Sequence, residues 1–123
     1  MAAKRIEREA GRAAVGAVLA GGASREETAT AVRYLLQLLA EEAPGNTVEV
    51  RVPPYGAVQA IEGPRHTRGT PPNVVETDAA TWVALATGSL PWVEAVASGR
   101  VAASGQRADL SANLPVAWGT MEA

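Results

Sequence analysis

Cysteine is absent from the 123 residues. That excludes disulfides, thiolate chemistry and cysteine-based zinc sites. Phenylalanine is also absent, and three tryptophans and two tyrosines are the whole aromatic content. A core must therefore rest on Leu, Val, Ile, Ala and the tryptophans. Histidine occurs once, at His66. One histidine makes neither a zinc site nor a nucleophilic triad, so no metal, no cofactor and no catalysis are expected. There is no surplus of positive charge: 11 Lys and Arg stand against 13 Asp and Glu, a net charge of −2. A nucleic-acid binder working by bulk charge needs a basic surface that releases counterions, so that class is disfavoured. No apolar run approaches the roughly 20 residues of a membrane span, and no integral membrane association is expected.

What remains is ordinary globular chemistry, with 47% hydrophobic and 20% charged residues. The length is that of one domain, taken here as residues 1–123. About a fifth of the chain is alanine. Side chains that small leave room either for close helix approach or for an internal cavity. The N-terminal "MAAKRIEREAGRAAVGAVLAGGA" puts charges ahead of an apolar run, but Glu7 and Glu9 precede it and the run is short. It reads as a helix rather than a secretory signal, and a cytoplasmic location fits.

Periodicity sets out the elements. Residues 3–20 form a helix with a thin stripe of Ile6, Ala10, Ala13, Ala14 and Ala17, stopped by Gly21-Gly22. That stripe needs a partner, and docking on a second copy of the chain is one option. Ser24 and Glu27 have the capping-box spacing and open a stronger helix, whose face is Val32, Leu35, Leu36, Leu39 and Ala43. "TVEVRV" alternates with period two. "PPYG" breaks it as a turn, with the Tyr55 ring over the sheet edge, and "AVQAIE" returns as the second strand of a hairpin. A short strand over 73–77 leads to Asp78, which caps a helix ended by Gly88. Pro91 starts a further short helix ended by Gly99; "RVAAS" is a strand and "QRADLSANLP" a last helix, followed by a frayed tail at 116–123. The order suits an α+β sandwich, a small sheet with helices on one face.

"TDAATWVALATGSLPWVEAVASGRVAASGQRADLSANL" then carries a resemblance. A capped helix ends at Gly88, a short helix follows with Leu90 and Ala95, and Ser98-Gly99-Arg100-Val101 enters a strand that closes at Gly105 before Leu110. This resembles the C-terminal half of sterol-carrier-protein-2-like domains, and in particular a bacterial branch of that family. The likeness covers about residues 24–115, with the helix over 1–22 as an addition. It implies a mainly antiparallel sheet of four to five strands, the fifth hidden in 63–72 or lost. It also implies non-catalytic binding of fatty acyl, sterol-like or other lipid in an apolar tunnel between sheet and helices.

The candidate pocket residues are Trp82, Leu85, Ala86, Trp92, Val93, Val96 and Leu110. Two readings stand side by side for them: packed core, or lining of a ligand pocket that is an unfilled part of the core. In the second, a tryptophan placed at Ala86 blocks binding and leaves the fold intact. In the first, the chain is a structural or protein-interaction module with a filled core and no ligand. The stretch "EGPRHTRGTPPNVVETD" holds His66 between Arg65 and Arg68, with three of the eight prolines. Arg65, His66 and Arg68 either hold an anionic head group by charge-assisted hydrogen bonds or pair with Glu49, Glu62 or Glu76 and pin the loop.

Overall fold

The computed structural model describes residues 4–63 and 73–119. The elements run α1 (Arg8–Ala20), α2 (Arg25–Glu42), β1 (Val48–Val52), β2 (Gly56–Ala60), β3 (Asn73–Thr77), α3 (Ala79–Thr87), α4 (Trp92–Ala97) and β4 (Val101–Ser104).

Local chemistry accounts for most of the boundaries. The Ser24 hydroxyl accepts the Glu27 backbone N–H and the Glu27 carboxylate accepts the Ser24 N–H, which completes the capping box of α2. Asp78 takes the Thr81 N–H at 2.8 Å and starts α3. Gly88 ends that helix at φ 91, a left-handed cap that a Cβ would strain. Pro91 stands one place earlier than the periodicity suggested: it precedes α4 as its cap. The first helix is also shorter than its stripe, because residues 4–7 run outside α1 as an extended strap.

The last expected helix does not form. Residues 106–115 are turns and irregular chain, although Leu110 is fully buried there. The Asp109 carboxylate accepts the Ser111 N–H at 2.8 Å, a local bond that competes with the helical pattern. Pro115 then bars continuation, and too few residues lie between to nucleate a helix without a packed face.

Among the described residues the sheet has four strands in the order β2-β1-β3-β4. Two pairs are antiparallel, and β1 and β3 are parallel. The expected fifth strand, hidden in 63–72 or lost, falls on a stretch of which 64–72 lie outside the described residues. Register puts Val48 opposite Ala60 and Val50 opposite both Val58 and Val75. Val48, Val50 and Val52 are wholly buried beneath α2 and α3 with Leu35, Leu36, Leu39 and Trp82. The period of two sends Glu49 and Arg51 to the other face. At one end of the sheet the buried Asn73 amide donates to the Thr47 carbonyl at 3.0 Å and accepts the Arg107 N–H at 2.9 Å. That one side chain ties together the approach to β1, the start of β3 and the chain after β4.

α1 lies on α2. Ala14 and Val15 are buried in the same core, and Gly11 lets the Tyr34 ring approach the helix so closely that a Cβ would overlap it. The face of α1 that packs within the chain is thus Gly11, Ala14 and Val15; of the expected stripe only Ala14 is buried, Ala17 is half-buried, and Ala10 and Ala13 are exposed. Leu19 remains about half exposed.

Candidate functional site

The structure divides the seven expected pocket residues into groups. Trp82, Leu85, Ala86 and Leu110 are fully buried members of the core. The Trp82 Nε1–H donates to the Val32 carbonyl at 3.3 Å, so even its polar edge is used inside. Ala86 offers its carbonyl to the Val116 N–H at 3.0 Å and is wholly buried. A tryptophan placed at Ala86 would overpack the core. Val93 and Val96 instead reach solvent, at 75% and 41% exposure. Three of the seven, Leu85, Trp92 and Val93, meet at a shallow hollow of about 340 Å³ closed by Leu90, Leu114 and Pro115.

Arg65, His66 and Arg68 lie outside the described residues. The glutamates suggested as their partners are otherwise engaged in part. Arg51 donates to Glu49 at 3.2 Å and stands opposite Glu76 in register. The hydrogen bond to Glu49, the charge of Glu49 and that of Glu76 all raise the Arg51 pKa.

A larger hollow, of about 710 Å³, opens elsewhere, between α2, the β1–β2 hairpin and the strap. Its frame comes from one line of polar side chains on α2 at positions 33, 37 and 41, spaced by four so that they lie along one flank of the helix. Arg33 Nε donates to the Tyr55 carbonyl at 2.7 Å and ties down the hairpin turn. The Gln37 amide accepts the Ile6 N–H at 2.8 Å and donates to the Ile6 carbonyl at 2.9 Å, clasping the strap as a neighbouring strand would. Glu41 receives Arg5 through Nε at 2.7 Å and Nη2 at 2.9 Å. That bidentate hydrogen bond, and then the attraction of opposite charges, lowers the Glu41 pKa and raises that of Arg5. Inside the frame, Ile6, Leu36, Ala40 and Val58 supply apolar wall, and the Tyr55 ring closes the hairpin side.

Charge around this hollow is uneven. Lys4, Arg5 and Arg33 line it with a single carboxylate, Glu41, and Arg5 already holds that one. Among the described residues, Arg33 and Lys4 have no carboxylate partner. The turn position of Tyr55 is legible in the sequence, whereas the roles of Arg33 and Gln37 are not. The available signal was the polar line at 33, 37 and 41 beside Leu36 and Ala40, which breaks what would otherwise be a plain solvated flank.

Among the described residues no cluster of three His, Asp or Glu side chains is placed to hold a metal ion, and no helix is long and apolar enough to cross a membrane. No curated protein matches the chain. A family model described as bacterial SCP ortholog matches residues 24–116, from the Ser24 cap through β4 to Val116, and leaves the strap and α1 outside. With three quarters of its length in that match and the α+β architecture above, the chain belongs to the bacterial SCP ortholog family.

Proposed function

We propose that this protein binds and carries a hydrophobic ligand, a fatty acyl, sterol-like or other lipid, without performing chemistry on it. The observation that carries the reading is the hollow of about 710 Å³ with its wall of Ile6, Leu36, Ala40, Val58 and Tyr55. Its size lies within the roughly 300–1,000 Å³ of small-ligand sites, and such sites are mostly apolar with a few placed polar groups. Burial supplies the affinity, at roughly 0.8 kcal/mol per CH2 removed from water. Family membership supports the same class of function. The smaller hollow at Leu85, Trp92 and Val93 is a secondary place for an apolar group, and Arg65, His66 and Arg68 keep their proposed role at a polar end. The cytoplasm is the location this reading assigns. A homodimer through α1 would have to use the exposed Ala10, Ala13 and Leu19, since Ala14 and Val15 serve the chain's own core.

A second reading is a protein-interaction module with a filled core. Full burial of Trp82, Leu85, Ala86 and Leu110 between sheet and helices favours it, as does the exposed Val93 on α4.

Native mass spectrometry on protein from its own host, before and after organic extraction, separates the two. A releasable mass in the lipid range supports carriage. Ala40→Trp, on the half-buried flank of α2, should then fill the hollow and remove uptake of a fluorescent fatty acid, with the thermal midpoint nearly unchanged. A clean apo mass and no uptake by the unmodified protein would transfer the assignment to the interaction module.

A further inference from the structure

We propose that the hollow under the strap selects an amphiphile with a carboxylate end over a neutral one of equal length, and that Arg33, assisted by Lys4, is the selecting group. The inference rests on the carrier reading above and adds the chemistry of the ligand's polar end.

Three observations carry it. The first is charge complementarity. The rim gathers three cations and one anion in a chain whose net charge is −2, so the local excess opposes the overall balance. Glu41 is taken by Arg5 through two hydrogen bonds, which leaves Arg33 and Lys4 uncompensated among the described residues. The second is preorganisation. Arg33 is not a loose surface arginine, because its Nε is fixed on the Tyr55 carbonyl at 2.7 Å. A guanidinium held through Nε keeps the donors of its two Nη atoms, and that planar end matches a carboxylate by two parallel hydrogen bonds. Less side-chain freedom is lost on binding when one donor is already placed. The third is adjacency. Arg33 stands one helical turn from Leu36 and Gln37 on the flank that walls the hollow, so a ligand whose chain lies on Leu36, Ala40 and Val58 brings its end within the arginine's reach.

Lys4 belongs to the strap, outside the matched family region. It adds a mobile point charge where Arg33 supplies direction. A neutral alcohol or sterol hydroxyl would gain only an ordinary hydrogen bond there, about half as strong as a charge-assisted one.

The test is competition against an uncharged fluorescent alkyl probe, with dodecanoate and dodecan-1-ol as paired competitors that differ only at the end group. The unmodified protein should bind dodecanoate about tenfold more tightly, the range that a charge-assisted hydrogen bond near a surface provides. Raising the salt should narrow the ratio, because the pair is partly exposed. Arg33→Gln should bring the ratio close to one, and Lys4→Gln should reduce it less. The ratio is the readout because loss of folding lowers both affinities together. Equal binding of the two competitors by the unmodified protein, or a ratio untouched by Arg33→Gln, overturns the proposal and leaves the carrier reading standing. Failure of both competitors and of the probe overturns the carrier reading as well.

Discussion

Gly11 and Gly16 lie in the same helix and make opposite predictions. Both occupy helical backbone in α1, where glycine costs about 1 kcal/mol relative to alanine. Gly16 is exposed, and a Cβ there would meet nothing within 4 Å. Gly16→Ala should therefore stabilise the protein by about 0.5–1 kcal/mol. A Cβ on Gly11 would overlap three carbons of the Tyr34 ring, and that ring is only 3% exposed, so it has little room to withdraw. Overpacking of this kind costs about 1–3 kcal/mol, and overlap with three ring atoms argues for the upper part of that range. Set against the propensity gain, Gly11→Ala should destabilise by about 1–2 kcal/mol. The two variants should differ by about 1.5–3 kcal/mol, or roughly 6–12 °C in midpoint for a chain of this length. Thermal and urea melts followed through tryptophan fluorescence make the comparison, since the buried Trp82 reports on the core rather than on α1 itself. Gly11→Ala melting at or above the unmodified protein would refute the close approach of α1 to Tyr34. Equal shifts in the two variants would do the same.

The strap gives two further expectations. Gln37→Ala removes both hydrogen bonds to Ile6, worth about 1–2 kcal/mol to docking of the strap, yet slightly favours the helix that carries it. Trypsin should cut after Lys4, Arg5 or Arg8 about tenfold faster in that variant with the global midpoint almost unmoved; an unchanged cutting rate would mean that the clasp does not hold the strap. Acid should act on the same segment: Arg5 holds the Glu41 pKa below its ordinary 4.5, so the pair contributes fully above that value and is lost as the pH falls through the lower folded value. Amide protection at Ile6 should decline on acidification below about pH 4.5, and Glu41→Gln should show the weakened protection at every pH.

The elements with local signals were legible in the sequence. Ser24 with Glu27, Asp78 and Gly88 each act within five residues of themselves, and the alternation of Val48, Val50 and Val52 is visible without any partner strand. The failed helix over 106–115 shows the limit of pattern alone: Leu110 and Leu114 have helical spacing, but Asp109 satisfies Ser111 locally and Pro115 follows at once. The pocket was harder for a different reason. Apolar residues on short helices mark burial equally well whether the space beside them is filled or open, and Trp82 and Ala86 are wholly buried. The larger hollow depends on pairings 31 and 36 residues apart, Gln37 with Ile6 and Glu41 with Arg5, and nothing near either residue announces them. Arg33 reaches Tyr55 across 22 residues in the same way.

The strap has a consequence for how such a protein can change over time. One wall of the hollow comes from Lys4, Arg5 and Ile6, residues that lie ahead of the family's matched span; Ile6 packs against the core, whereas Lys4 and Arg5 are exposed. The facing wall includes Leu36, which the core beneath also needs. Substitutions at Lys4 and Arg5 can reshape the hollow at little risk to folding, whereas substitutions at Leu36 must satisfy both demands at once. Inheritance of the architecture and tuning of its use are thereby assigned to separate stretches of one chain.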